Sequence, residues 1–336
     1  MADLMDVGKD ALEDGVIKIA VDKAAKHLGY NEVKDLQMKV ISEVLSGHDV
    51  FAVLPTGYGK SLCYGCLPLA FDEIFKPIKP SIVCVISPLT AIIEDQVQSF
   101  SSKSLSVGCV LRGTNVSILE GVANGEFQLI FFTPEAILNH KRWRNLLCSD
   151  VYKERLQFVV IDEAHTVIKW GDTFIRTLSR IGELKSIVSS HVRFMVLTAT
   201  ASKELRRKAS DAICLDNPSV VAVSPCKRNI AYAVSNFTTI SERFGPILEE
   251  LKVKRTSMGR IIIYCRRCQD CSSLYSLFKV GLGEHFTHPI DAPEELSKYR
   301  LVEMFTSDTD AEVKTQIIQS FGSASFPLRI VMTSVV

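Results

Sequence analysis

The chain has 336 residues, which at roughly 150 residues per domain points to two domains. Hydrophobic residues make up 47% and charged residues 23%, with 12 Pro and 18 Gly, so disordered, collagen-like and disulfide-knotted classes are excluded. The 39 Lys and Arg stand against 38 Asp and Glu, which excludes a polybasic nucleic-acid coat but leaves room for a local basic groove.

The first residues include Asp3, Asp6, Asp10, Glu13 and Asp14 against Lys9 alone, the reverse of a basic export signal. Residues 1–29 read as one or two leading amphipathic helices. No apolar run approaches the roughly 18 residues that span a bilayer, so no membrane contact is expected. Ten cysteines suit a reduced interior better than a disulfide framework.

From there, short Val- and Ile-rich runs alternate with helical patterns. Strands are expected at 49–54, 81–87, 128–133, 158–162 and 194–198, each nearly continuous in apolar residues. Such runs belong to a parallel sheet covered on both faces. A break falls near 217–229, where NPSVVAVSPCKRN holds two prolines and no helical pattern. The alternation then restarts, with strands at 260–265, 300–306 and 329–333. The expected organisation is an α/β fold with a helical segment at 1–29, one domain at 30–220 and a second at 229–336.

The strongest motif is LPTGYGKSLCY (54–64), between the first strand and a helix. Gly57 and Gly59 let the loop curl so that backbone N–H groups, with Thr56, cradle a phosphate chain. Lys60 can reach the outer phosphates and Ser61 can bind Mg²⁺, while the helix start directs its positive end at them. Leu54 stands where the usual phosphate loop has its first glycine.

A second motif, VVIDEAH (159–165), ends a strand in two carboxylates. Asp162 is placed to hold Mg²⁺, and Glu163 to orient and deprotonate a water. His165 is more readily a structural hydrogen-bond partner than an acid or base, yet it completes the catalytic set. LTATA (197–201) ends a third strand, and the hydroxyls of Thr198 and Thr200 can link hydrolysis to a moving partner.

With these three elements in order, the chain resembles a superfamily-two helicase, and more narrowly the RecQ family of DNA helicases. The resemblance implies two RecA-like domains of the P-loop NTPase type and ATP with Mg²⁺ as cofactors. It further implies 3′-to-5′ unwinding in DNA repair and recombination, single-stranded and branched DNA as partners, and a nuclear location. LGYNEVKDLQ (28–37) resembles the family's adenine-recognition motif, which assigns Tyr30, Lys34 and Gln37 to the base. Lys34 replaces the usual Arg, and an ammonium does not stack as a guanidinium does. SPLTAIIEDQV (87–97) and FTPEAIL (132–138) resemble motifs that contact DNA phosphates, through Ser87, Pro88, Thr133 and Pro134.

After the DEAH residues, HTVIKWGDTFIRTLSR resembles the family's aromatic-rich loop, with Trp170, Phe174 and Arg176 assigned to single-stranded DNA. Its usual His-Asp-Phe reads Asp172-Thr173-Phe174. GRIIIYCRRCQDC (259–271) resembles the first motif of the second motor domain. There Arg266 can meet a DNA phosphate or simply be solvated. Thr333, in RIVMTSVV, falls where the family contacts the nucleic-acid backbone. The chain stops inside that motif, before the arginine-finger motif, so a truncated second domain and weak hydrolysis are expected. The cysteine spacings do not converge on four zinc ligands, and no zinc is expected. An RNA helicase, or a degenerate nucleotide-gated nucleic-acid binder that does not unwind, are the competing readings.

Overall fold

A computed structural model describes residues 14–164, 172–224, 229–323 and 325–334. The chain divides into two compact units, Met1–Ile230 and Ala231–Val336.

In the first unit, α1 (Asp14–His27) and α2 (Asp35–Leu45) precede β1 (Val50–Val53) and α3 (Lys60–Phe75). Three strand–helix repeats follow: β2 (Ile82–Ile86) with α4 (Thr90–Ser101), β3 (Val107–Val110) with α5 (Val116–Asn124), and β4 (Leu129–Phe132) with α6 (Pro134–Asn139). Two short helices, α7 (Lys141–Leu147) and α8 (Asp150–Arg155), lead into β5 (Leu156–Ile161) and α9 (Asp172–Ile187). The unit ends with β6 (Arg193–Thr198), α10 (Lys203–Ile213) and β7 (Ser219–Ala222). Among the described residues these strands form one seven-stranded sheet in the order β3-β4-β2-β5-β6-β1-β7, every neighbouring pair parallel.

The near-continuous apolar strands follow from this architecture. Side chains alternate between the two faces of a strand, and here both faces are covered. Val50 and Ala52 of β1, and Phe158 and Val160 of β5, enter a core with α1, α2 and α3. Phe51 and Val53, and Val159 and Ile161, enter the opposite core with Trp143 of α7, Ile181 of α9 and Ile213 of α10. On α1, Ile17, Val21 and Ala24 are buried at helical spacing and join the first core, as does Leu28 just past its end.

Two strands lie where none was expected. β3, with sequence VGCV, is an edge strand whose Gly108 lies under the Phe127 ring: a Cβ there would stand 2.5 Å from it. β7 runs inside the segment read as a break and pairs with β1 at the other edge. It is short and mostly exposed, so it carries little of the burial signal that marks a central strand. Pro218, which precedes it, does not interrupt an interior ladder.

The second unit contains α11 (Ile240–Lys254), β8 (Ile261–Cys265), α12 (Cys268–Leu282), β9 (Val302–Phe305), α13 (Ala311–Gly322) and β10 (Ile330–Ser334). Its described strands form a parallel sheet in the order β8-β10-β9. Leu274 and Phe278 of α12 pack with Ile330 and Met332 on one face, and Ile317 of α13 with Val331 on the other. Among the described residues of the chain, no helix is long and apolar enough to cross a membrane.

Candidate nucleotide-hydrolysis site

The loop after β1 is anchored where Leu54 N–H donates to Thr198 O of β6 at 3.0 Å. Gly57 and Gly59 have φ of +80° and +92°, a region that side chains disfavour. Gly59 carries a second constraint, since a Cβ would stand 2.6 Å from Gln37 Nε2. The loop then feeds α3, whose first residue is Lys60, and Lys60 is buried.

β5 delivers the acidic pair. Its hydrogen bonding continues past the strand, with Asp162 N–H donating to Ile86 O of β2 at 2.9 Å and Ala164 N–H to Leu197 O of β6 at 3.1 Å. Between them Glu163 takes φ +49°, a left-handed conformation that costs a non-glycine residue roughly 1–2 kcal/mol. That turn sends the two carboxylates different ways. Asp162 Oδ1 accepts from the Glu163 N–H at 2.8 Å, and Oδ2 accepts from the Tyr64 hydroxyl at 3.4 Å. Glu163 Oε1 lies 3.2 Å from Lys60 Nζ.

Burial, and then the neighbouring Glu163 charge, push the Asp162 carboxyl up to about 6, against the pull of the Glu163 N–H, Lys60 and Tyr64. A carboxylate held at such expense is a functional-site signal. Among the described residues no group of three or more His, Cys, Asp or Glu converges on a metal position. Asp162 with the Ser61 hydroxyl is an all-oxygen donor pair too small to enclose a cation. It fits Mg²⁺, which takes one or two carboxylates and draws its other ligands from phosphates and water.

Of the three residues expected at the base, Gln37 and Lys34 touch the loop and Tyr30 contacts Lys103. Gln37 is buried, and its Nε2 donates to Tyr58 O at 3.1 Å and to Gly59 O at 2.9 Å, while Oε1 accepts from Lys34 N–H at 2.9 Å. Both amide protons are therefore committed to the phosphate loop itself. Lys34 Nζ also donates to Tyr58 O, at 3.2 Å. Tyr30 accepts from Lys103 Nζ at 3.1 Å, with that ammonium 4.2 Å from its ring centroid.

The remaining strand ends line up with these groups. Ser87 follows β2, is buried, and donates its N–H to Phe132 O; its hydroxyl has no hydrogen-bond partner among the described residues. Pro88 beside it is half-buried. Thr133 follows β4 and caps α6 by accepting from Ala136 N–H at 3.2 Å, with Pro134 at the first helical position. Thr198 ends β6, fully buried, and its hydroxyl donates to Thr200 O at 3.1 Å; Thr200 is exposed. In sheet order β4-β2-β5-β6-β1, the carboxyl edge thus presents Thr133, Ser87, Asp162, Thr198 and the phosphate loop in succession. Neighbouring strands are about 4.8 Å apart, so this row is continuous. Ligands of open parallel sheets bind at this edge.

His165 and Trp170 lie outside the described residues. Phe174 and Arg176 belong to α9, but their side chains are likewise outside the description. Exposed Arg266 follows β8 and Thr333 lies in β10, paired in register with Tyr264; both belong to the second unit. Two site residues carried no assignment from the sequence, Tyr64 and Lys103. For Tyr64 a signal existed: it stands three and four residues after Ser61 and Lys60, on the same helix face.

A family model described as DEAD/DEAH box helicase matches residues 34–207, just over half of the chain and the whole of this row. The chain belongs to the DEAD/DEAH box helicase family. Within it, the curated relatives carry RecQ-type names. The chain is 32% identical over 204 residues to the ATP-dependent DNA helicase RecQ of Synechocystis sp., covering 59% of this chain and 40% of that protein. It is 28% identical over 278 residues to the RecQ-like DNA helicase blm-1 of Caenorhabditis elegans, covering 80% and 27%. With the ATP-dependent DNA helicase Q5 of Rattus norvegicus the identity is 31% over 265 residues, covering 74% and 26%. The matches thus span about a quarter to two fifths of those relatives.

Solved helicases share the fold at low identity. A DUF1998 helicase MrfA bound to DNA matches with TM-score 0.64 and 17% identity, covering 94% of this chain and 44% of that one. The DEAD-box helicase Mss116 bound to ssRNA and UDP-BeF matches with TM-score 0.63 and 17% identity, covering 98% and 66%. The RecA-like architecture expected from the sequence is what the structure has.

Proposed function

We propose that this chain is the motor of an ATP-dependent DNA helicase, coupling ATP hydrolysis to 3′-to-5′ movement on single-stranded DNA and to duplex unwinding in repair or recombination. The observation that carries the proposal is the convergence of Lys60, Asp162 and Glu163 in one row with Ser87 and Thr133. A phosphate-cleaving centre and a backbone-gripping edge then share the same strand ends.

In this reading the loop at 56–59 and the start of α3 cradle the phosphates of ATP, and Lys60 neutralises their charge. Arrival of the phosphates gives Lys60 a new anionic partner and releases Glu163, which orients the attacking water and takes its proton. Ser61 and Asp162 hold Mg²⁺, which supplies electrostatic stabilisation of the charge that develops on the phosphates. Tyr30 and Lys34 meet the base, Gln37 holds the phosphate loop beside it, and Thr198 with Thr200 link the centre to a moving element. Ser87, Pro88, Thr133 and Pro134 hold the DNA backbone. Trp170, Phe174 and Arg176 sense the bases, and Arg266 and Thr333 contact phosphate from the second unit. Backbone contacts position a strand without reading its sequence, as a motor requires.

Phosphate release by the full chain, with and without single-stranded DNA, tests this. Hydrolysis stimulated by DNA and absent in Lys60→Ala is expected. Stimulation by RNA in preference to DNA would replace the DNA reading, and undiminished turnover in Lys60→Ala would end it.

A further inference from the structure

We infer that Tyr64 is a positioning residue for the Mg²⁺-binding carboxylate: its hydroxyl holds Asp162 Oδ2 in the orientation in which that carboxylate meets the metal. The inference rests on the nucleotide-hydrolysis reading above.

Tyr64 is fully buried in α3, one turn beyond Ser61. Its ring is fixed edge-on by Phe100 and Phe131, each with centroids 6.0 Å away. A side chain packed on two sides in this way cannot swing, so its hydroxyl is delivered to one place. That place is Asp162 Oδ2, at 3.4 Å. A phenol hydroxyl is protonated at neutral pH, so facing a carboxylate oxygen it acts as the donor.

The other oxygen, Oδ1, is already taken by the Glu163 N–H at 2.8 Å. With both oxygens held, rotation about the final torsion of Asp162 is blocked. Without Tyr64, one oxygen of a buried carboxylate is released, and the group can turn before the metal arrives. A metal-binding carboxylate that is itself hydrogen-bonded is a recurrent arrangement, and losing the outer partner typically lowers metal affinity about tenfold or more. The 3.4 Å separation is long for an O–H···O bond, which places the effect here at the lower end.

Lys60, Ser61 and Tyr64 also share one helix face, so the helix that presents the phosphate-binding lysine and the metal-binding hydroxyl also sets the carboxylate opposite them. The three groups are therefore in mutual register through α3 rather than through the loop.

The test uses the full 336-residue chain and a fluorescent ATP analogue, titrated with Mg²⁺. Tyr64→Phe is expected to raise the Mg²⁺ midpoint for nucleotide binding by about three- to tenfold. Its affinity for the analogue in excess chelator is expected to match that of the wild type. Phe100→Leu, which loosens the packing that aims the ring and leaves the hydroxyl, is expected to shift the midpoint in the same direction by a smaller factor. In an Asp162→Asn background, Tyr64→Phe is expected to add nothing.

A Tyr64→Phe midpoint equal to wild type, or the same shift with and without Asp162, overturns the assignment of Tyr64. If Asp162→Asn alone leaves the midpoint unmoved, the nucleotide-hydrolysis reading fails first. Urea unfolding of Tyr64→Phe, which retains the ring, separates lost positioning from lost folding.

Discussion

Lys60 Nζ lies 3.2 Å from Glu163 Oε1, so the candidate phosphate-binding lysine and the candidate water-activating carboxylate neutralise each other. Both side chains are largely buried, at 9% and 17% exposure, where a charge is tolerated only with a partner. In the proposed mechanism, phosphate arrival draws Lys60 away from Glu163.

Lys60→Ala is expected to remove hydrolysis and also to destabilise the fold by about 3 kcal/mol, because an ion pair in a largely buried site is broken. The double variant Lys60→Ala/Glu163→Gln should regain much of that stability and none of the activity. Urea unfolding and phosphate release, measured on wild type, Lys60→Ala, Glu163→Gln and the double variant, read the two effects. A double variant no more stable than Lys60→Ala would show that the pair does not hold the resting site.

Asp162 yields a pH prediction. Its carboxyl is pushed from an ordinary 3.8 up to about 6, so across that window the folded state holds a proton that the unfolded state has lost. Stability contributed by this group is therefore present at low pH, falls as pH rises through the window, and stays lower above it. Asp162→Asn, which carries no titrating proton, should be more stable than wild type at pH 7.5, by an amount on the order of 3 kcal/mol. At pH 4 the difference should nearly vanish, while hydrolysis is lost at every pH. Equal stability differences at the two pH values would refute the assignment of burial as the cause.

Gln37 commits both amide protons to the carbonyls of Tyr58 and Gly59. Its removal is accordingly expected to unsettle the phosphate loop before it affects base reading. Gln37→Ala should weaken ATP and GTP alike, by about tenfold, a loss of roughly 1.4 kcal/mol. Isothermal titration with both nucleotides is the measurement. A loss confined to ATP would show that the carboxamide leaves the loop to read adenine.

Ser87 is buried with a hydroxyl that has no hydrogen-bond partner among the described residues. Such a group gains nothing in the free protein, so Ser87→Ala should leave stability unchanged or raise it by up to about 1 kcal/mol. If the hydroxyl awaits a DNA phosphate, the same variant should bind single-stranded DNA several-fold more weakly. Fluorescence anisotropy with a labelled oligonucleotide decides it, and unchanged binding removes Ser87 from the interface.

Much of the fold was legible in the residues because a doubly covered parallel strand writes itself as a continuous apolar run. β1, β2 and β4 lie within the segments read from composition, while β5 and β6 overlap theirs and begin two residues and one residue earlier. The two edge strands were not legible. β3 is four residues long with a glycine, and β7 sits between prolines with one face open, so neither carried the burial that makes a strand visible. At the site, local spacing marked Gly57, Gly59, Lys60 and Asp162, since each answers to the backbone or charge demands of its own turn.

By itself the sequence determined the chemistry of each strand end: a glycine loop before a lysine, paired carboxylates, and hydroxyls. These are local properties, set by a few neighbouring residues. Only the tertiary structure decided which ends are adjacent. The order β4-β2-β5-β6-β1 depends on crossovers that no local pattern encodes, and it brings Glu163 to Lys60, a pair 103 positions apart. It also brings Tyr64 to Asp162, a pair 98 positions apart. Packing of Phe100 and Phe131 aims that tyrosine, and such packing exists only once the core has closed.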